Sequence, residues 1–369
     1  VIIMVKSWVY NSVVFGMFIR YAGYLLAEEG AETNLDLIQQ RIDEGYSIVL
    51  FPEGTRSVDG EIKRFHKGAF YIAKELNLPL QPILLIGAHE VNPKNDILIS
   101  KGQLILLPLD RIQPVPEESY SQLTKRVQQI IREAYVQGKR AHAKTAFWES
   151  VLLKNYVLKG PVLEWYVRVK WMLEKKNYEF YDEIIGDRAN IYDLGCGYGY
   201  LSYYLHYRGQ NRNITAIDYD TEKIAIADQG MKKSKHLSFI TADVRELEFN
   251  SVDVVLLNDV LHYLAKEDQF TLLKRITDGL NENGILFIRD GIKELDARFK
   301  RTKLTEFLST KLFKFNKTST ELEFISEQEM ASFALNHGFT IEKIEHSKTT
   351  SNVLLILRKV SNEHGDREI

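Results

Sequence analysis

A chain of 369 residues is long enough for two domains, each able to bury a core of its own. Apolar side chains make up 45% of it and charged ones 27%, as in an ordinary globular protein, and the formal charge of −2 argues against general affinity for nucleic acid. Its one cysteine, Cys196, excludes an internal disulfide and fits a reducing compartment. No apolar run reaches the roughly eighteen residues of a membrane span, and no signal-peptide layout is legible. Val1 opens the chain inside an ongoing apolar stretch, so the sequence reads as a piece of something longer.

The first motif is SIVLFPEGTR (Ser47–Arg56). Length and β-branching predict a buried strand over Ile48–Phe51. It runs into a turn carrying a carboxylate, a glycine and a guanidinium. Arg56 offers a planar fork of donors and Gly54 lets a ligand approach the backbone closely, which is what phosphate recognition requires. Glu53 either accepts a substrate hydroxyl or holds the arginine; a plain turn with a solvated arginine is the bland alternative.

FPEGTRS (Phe51–Ser57) resembles the phosphate-binding block of the glycerolipid acyltransferases. Arg64–Ala69 (RFHKGA) resembles that family's basic F-x-x-G helix start, Leu78–Leu85 its proline-containing strand, and Trp8–Gly16 the segment between its first two blocks. The likeness covers about residues 1–135. It implies an α/β acyltransferase-like domain over residues 1–140, with Glu53, Gly54, Thr55 and Arg56 at the acceptor's phosphate. It also implies an acyl thioester donor, on acyl carrier protein or coenzyme A, and a glycerol-phosphate-type or related acceptor. The family's general base comes from an H-x-x-x-x-D block, and none stands before Phe51. His66 follows the phosphate block and His89 follows a strand, and both are poor substitutes on position. This stretch is therefore expected to bind without catalysing, and a full-length parent to do both.

Residues 121–180 carry twelve Lys/Arg against five Glu and no Asp, with Trp148, Trp165 and Trp171 among them. A helix is predicted over Tyr120–Tyr135, with breaks at Gly138 and at Gly160-Pro161. Basic residues interleaved with aromatics suit an anionic-lipid surface. The blander reading, favoured for Trp165 and Trp171, is a set of helices that bury their aromatics. Residues 141–185 thus read as a basic, aromatic-rich connector, with the domain boundary near residue 145.

The C-terminal half begins with IYDLGCGYGYLSYYL (Ile191–Leu205): a short apolar run ending on Asp193, then Gly195, Gly197 and Gly199, then apolar residues at helical spacing. This predicts strand, tight turn and helix, with the helix N-terminus behind the turn. The third glycine comes one position too early for a dinucleotide fingerprint, and an acid before the first glycine would repel a pyrophosphate. It suits a cationic ligand. Further buried-strand runs follow at Ile214–Ile217, Leu237–Ile240, Val252–Leu257 and Gly284–Ile288, alternating with helical stretches. An α/β, doubly wound parallel sheet is the fold this predicts, with the ligand at the strands' carboxyl ends.

D-x-G-x-G-x-G resembles motif I of the class I S-adenosylmethionine methyltransferases. The resemblance implies a Rossmann-like methyltransferase domain over residues 186–369 with S-adenosyl-L-methionine as cofactor and no metal. It places Asp193, Gly195, Gly197 and Gly199 at the cofactor, Asp218 on the ribose hydroxyls, Asp243 with Val244 near the adenine, and Asn258 at the fourth strand's end. Thr340–His346 and Asn352–Leu357 are the expected final strands. Between them and the fifth strand, Ile292–Lys317 is basic and carries Phe299, Phe307, Phe313 and Phe315; it suits an amphipathic acceptor or forms a plain helical hairpin.

His262 follows the fourth strand and Asp290 the fifth, and either is placed to deprotonate a hydroxyl acceptor. Tyr198 and Tyr263 are candidate pocket walls. The whole reads as a bifunctional transferase: acyl transfer plus methylation of an aryl or lipid acceptor. It resembles enzymes of bacterial aryl-polyene or flexirubin-type clusters, which implies a cytoplasmic location at the inner face of the cell membrane. The alternative reading is a methyltransferase of a small soluble metabolite, docked to lipid by its N-terminal half.

Overall fold

The computed structural model describes residues 1–27, 34–94, 99–209, 211–231, 233–291, 323–344 and 352–360. The basic stretch over 292–317 lies outside them, as do the last two residues of the expected strand Thr340–His346. The chain divides into two units, Val1–Phe147 and Trp148–Ile369.

In the first unit β1 (Ile2–Val5) lies between β2 (Leu25–Leu26) and β3 (Ile48–Val49), all parallel. Two short helices, α1 (Ser7–Tyr10) and α2 (Gly16–Tyr21), follow β1, and α3 (Leu35–Asp43) follows β2. Then come α4 (Gly68–Glu75), β4 (Ile83–Ile86), α5 (Ala88–Val91), β5 (Ile105–Pro108) and α6 (Tyr120–His142), with β4 and β5 antiparallel. Ile2, Met4, Leu25, Ile38 and Ile72 form one core, and Phe65, Phe70, Ile112, Leu123 and Val127 another. The strand expected over Ile48–Phe51 stops at Val49, and Phe51 stands 67% exposed.

Helix α6 corrects the expected break at Gly138. Ser119 and Gln122 form a reciprocal cap at its start, and the helix runs through Gly138 to His142. A β-carbon on Gly138 would lie 2.8 Å from Leu107 Cδ1, so the glycine lets α6 approach the β4–β5 pair closely. Close packing, not chain breaking, explains this residue. Gly160, at φ +103°, does end one segment, and Pro161 opens the next helix from its first position.

The second unit contains α7 (Thr145–Lys154), which begins just before it, and the long α8 (Pro161–Ile184). A seven-stranded sheet comes next: β6 (Asn190–Leu194), α9 (Tyr200–Arg208), β7 (Asn213–Asp218), α10 (Thr221–Asp228), β8 (Leu237–Thr241), β9 (Val252–Asn258), α11 (Lys266–Gly279), β10 (Leu280–Gly291), α12 (Glu327–Asn336), β11 (Phe339–Ile344) and β12 (Asn352–Lys359). Strand order is β11-β12-β10-β9-β6-β7-β8, and β12 runs antiparallel to both its neighbours. The chain steps outward from β6 through β7 to β8, then returns to the other side of β6 as β9. Their carboxyl ends diverge there, leaving the crevice in which doubly wound sheets bind ligands. The expected strands all form; the fifth starts earlier, at Leu280, with a register irregularity before Ile285 and Asn283 at φ +60°.

The burial expected for Trp171 is found, whereas that expected for Trp165 is not. Trp171 is buried against Tyr178 and Tyr204, and Trp148 stacks on Tyr207, while Trp165 stays half exposed. The end of α8 is fastened by Arg212, which is 0% exposed. Its guanidinium donates to Asp182 Oδ1 at 2.7 Å and to the carbonyls of Ile185 and Gly186 at 2.7 and 3.0 Å, while Arg208 takes Asp182 Oδ2 at 2.8 Å. Breaking such a pair leaves a buried charge and carbonyls undercompensated. Arg212→Met is therefore expected to lower stability by about 3 kcal/mol in urea unfolding; a loss below about 1 kcal/mol would show that water or Arg208 replaces the contact.

Candidate functional site

Asp193 is the penultimate residue of β6 and is 2% exposed, its carboxylate accepting the Ser202 hydroxyl from the first turn of α9. Burial pushes its pKa up to about 7; the Ser202 hydrogen bond opposes this and the nearby Asp218 charge adds to it. The glycine turn then folds back on β7. Gly195 and Cys196 both donate to the Ile217 carbonyl, at 2.8 and 2.9 Å, and Gly197 N–H donates to Asp218 Oδ2 at 2.8 Å.

All three glycines have positive φ, at +71°, +56° and +78°. Their surroundings differ. A β-carbon on Gly195 would strike Val260 Cγ2 at 2.3 Å and one on Gly199 would strike the Phe239 ring at 2.5 Å, whereas one on Gly197 would meet nothing within 4 Å. The middle glycine thus leaves an open approach to the backbone, beside the Asp218 carboxylate. This is a cradle that a ligand fits.

Asp218, at the end of β7, also accepts the Asp220 N–H at 2.9 Å, and Asp220 in turn caps α10. Asp243 caps a 3-10 turn over Val244–Glu246 and is gripped by Arg245 at 2.6 Å, which holds its carboxyl below the usual range. Asn258, at the end of β9, accepts the Tyr181 hydroxyl of α8 at 2.6 Å. The strand-end positions read from sequence therefore share one edge of the sheet. Cys196 sits half-buried within the turn, where desolvation pushes its thiol well up.

His262 and Asp290, each read separately as a possible base, form one dyad. His262 Nδ1 lies 2.5 Å from Asp290 Oδ1, and the His262 backbone N–H reaches Asp290 Oδ2 at 3.3 Å. Gly291 N–H also donates to Asp290 Oδ1, at 2.7 Å. Burial presses the imidazole pKa down, but the Asp290 hydrogen bond and charge, with Asp259 beyond, outweigh it and leave it above the ordinary value. Phe324 stacks on the ring at 5.6 Å and Tyr263 lies 4.0 Å away. A small cavity beside the dyad is walled by Leu261, Ile288, Met330, Val353 and Leu355.

Sequence reasoning missed the charges behind this edge. Lys170 and Glu174 of α8 meet Asp259 and Arg289: Arg289 lies 2.8 Å from Glu174 and 3.1 Å from Asp259, and Lys170 lies 3.3 Å from Asp259. Arg289-Asp290 at a strand end was the signal available for half of it. Nothing in the spacing of α8 announces the rest.

In the first unit, Gly54 turns at φ +61° and His66 packs against it. Glu53 accepts the Lys63 N–H at 3.0 Å. Thr55 and Arg56 are exposed, and the Arg56 guanidinium is turned to the carbonyls of Asn92, Pro93 and Lys94 at 3.1–3.3 Å and to Asn92 Oδ1 at 2.5 Å. Lys139 pairs with Glu90 at 3.3 Å in the same unit. Among the described residues no cluster of metal-binding side chains occurs, and no helix is long and apolar enough to cross a membrane.

Residues 191–284 match the family described as a methyltransferase domain, and residues 1–86 the family described as acyltransferase. Among curated proteins, the chain is similar to the carboxy-S-adenosyl-L-methionine synthase of Shewanella amazonensis, 32% identical over 120 residues that are 31% of this chain and 49% of that protein. The synthase of Vibrio parahaemolyticus is 31% identical over 114 residues, 30% of this chain and 46% of that one. The chain thus spans about half the length of the curated relatives it matches. Among solved structures, magnesium protoporphyrin IX methyltransferase of Synechocystis PCC 6803 with bound SAH matches at 17% identity and a TM-score of 0.36, covering 63% of this chain and 87% of that one.

An ionised Asp193 favours a cationic ligand beside the turn, and such a ligand favours the ionised form. In the free protein the raised pKa means that stability carried by the protonated acid is present at low pH and lost as pH rises through about 7. Cation uptake at about pH 6 is therefore expected to release protons, with affinity rising toward about pH 8 and proton release then vanishing. Calorimetry of S-adenosylmethionine binding in two buffers of different ionisation enthalpy measures this, and equal heats at low pH would contradict it.

Proposed function

We propose that this chain, which joins an acyltransferase domain to an S-adenosylmethionine-dependent methyltransferase domain, methylates a hydroxyl on an aryl or lipid acceptor, with His262 as the base. The observation that carries the reading is the dyad. Donation of Nδ1–H to Asp290 fixes the ring and leaves Nε2 as the free acceptor, the arrangement of a general base. A hydroxyl needs such a base, whereas an amine or thiolate does not.

The residues at the edge suit the cofactor. The glycine turn with its open face at Gly197, together with Asp218, Asp243, Val244 and Asn258, would hold it, and when bound it supplies an electrophilic methyl group. His262 would take the proton from the acceptor hydroxyl, and Asp290 would stabilise the resulting imidazolium. The cavity beside the dyad, about 20 Å³, has room for a single water, so the acceptor's body would lie outside it. Alignment of that hydroxyl supplies much of the remaining rate.

The acyl-transfer half of the reading rests on the match over residues 1–86 and on the Glu53–Arg56 turn, whose Thr55 and Arg56 are exposed, for a thioester donor and a glycerol-phosphate-type or related acceptor. A peripheral position at the inner membrane face is supported by the surface of α1 and α2. Trp8, Val14, Phe15, Phe18 and Tyr21 are exposed there, and residues 1–27 carry Lys6 and Arg20 but no acid. The same surface is what the docking alternative needs, so it does not separate the two.

Asp218→Ala is expected to weaken S-adenosylmethionine binding about tenfold or more in calorimetry, through loss of a charge-assisted acceptor. His262→Gln should leave that binding within about threefold but lower kcat on a phenolic acceptor by about 10²–10⁴. Exclusive N-methylation, or a parental rate in His262→Gln, would count against the proposal. A carboxylated cofactor in the product mixture would point instead to the activity for which the curated relatives are named.

A further inference from the structure

Between Asn258 and His262 lies a residue with no part in the chemistry so far. Asp259 has φ +56°, a conformation that costs energy in any residue with a β-carbon and that clusters at functional sites. Its N–H donates to the Arg289 carbonyl at 2.8 Å. Its carboxylate takes Arg289 Nη1 at 3.1 Å, Lys170 Nζ at 3.3 Å and the Asn352 amide. Side chains from α8, β10 and β12 thus converge on one carboxylate just past the end of β9.

That anchor sets the course of the next three residues. Val260 lies where a β-carbon on Gly195 would strike it, so this segment backs the glycine turn. Two residues on, the His262 backbone and ring both address Asp290. Resting on the reading of His262 as the base, we propose that Asp259 is a positioning residue. Its left-handed backbone, tied by its own N–H to the Arg289 carbonyl, sets the 258–262 segment so that Val260 backs the turn and His262 faces Asp290. Its charge also supports the protonated imidazole. The groups that face it are Lys170, Glu174, Tyr166 and Tyr181 from α8, Arg289 from β10 and His262 itself.

Backbone and charge separate by substitution. Asp259→Asn keeps a residue that tolerates the left-handed region and removes the charge; Asp259→Gly keeps only the conformation; Asp259→Ala loses both. The probes are the His262 imidazole, followed by NMR in histidine-labelled whole chain and assigned with His262→Gln, and calorimetric binding of S-adenosylmethionine. Asp259→Asn and Asp259→Gly are expected to lower the His262 titration midpoint while holding cofactor affinity within about threefold. Asp259→Ala should also weaken the cofactor about five- to tenfold, because the segment behind the turn shifts.

If the Asn variant is unstable with Lys170 and Arg289 undercompensated, the charge-balanced Asp259→Asn, Lys170→Met chain should show a smaller fall in the same direction, because loss of the Lys170 cation offsets part of it. An unmoved midpoint in the Asn variants, or indistinguishable cofactor affinities for Gly and Ala, would overturn the proposal. Failure of the base reading is seen elsewhere, as undiminished methyl transfer by His262→Gln, and leaves the titration result standing.

Discussion

The site depends on a single carbonyl. Ile217 O accepts from both Gly195 and Cys196, so the chain leaving β6 is folded onto the end of β7 before α9 begins. Only a backbone with repeated positive φ makes that fold, which is why glycine recurs at alternate positions. The same turn is boxed in by Val260 from beyond β9 and by Phe239 from β8. One short turn therefore senses the ends of four strands. Any ligand bound at Gly197 rests on all of them, and the rigidity of the cradle is that of the sheet itself.

A second constraint is electrostatic. Glu174 and Arg289 sit largely out of water and Lys170 and Asp259 are half-buried, two of each sign. Taking such groups out of water is costly, and apolar residues of similar volume are often as stable. Their value lies in orientation. Each pairing fixes the rotation of α8 against the carboxyl edge, and with it the Tyr181 hydroxyl that meets Asn258. The charge of the connector stretch is thus partly internal. Burial was the favoured reading for Trp171, and it, Tyr178 and Lys170 do work inside the second unit.

The legible part of the fold is the local part. The β6 strand, its glycine turn and the following helix are specified within fifteen residues, and the later strands by apolar runs of the right length, so the doubly wound sheet was legible. Asp218 and Asn258 could be placed because strand ends are local features too. The dyad was legible only in halves: nothing in the spacing of His262 and Asp290 says that β9 and β10 are neighbours in register, which Asn258 opposite Arg289 shows. Glu174 and Arg289, 115 positions apart, were out of reach altogether. Gly138 misled because glycine serves both as a breaker and as a contact surface, and only the packing of Leu107 tells which.

The phosphate block of the first unit poses the reverse problem, a motif legible in sequence whose key side chain is otherwise engaged. Arg56 donates to three backbone carbonyls and one side-chain amide. All four acceptors are neutral, and the arginine is exposed. A phosphate oxygen accepts a charge-assisted hydrogen bond roughly twice as strong as a neutral one, and the fork geometry lets two form together. Of the residues that bear these carbonyls, Asn92 and Pro93 are half-buried and Lys94 is exposed, so releasing the guanidinium costs part of this donation. The carbonyl cluster serves as a parking place that keeps the guanidinium beside Gly54 rather than loose in solvent.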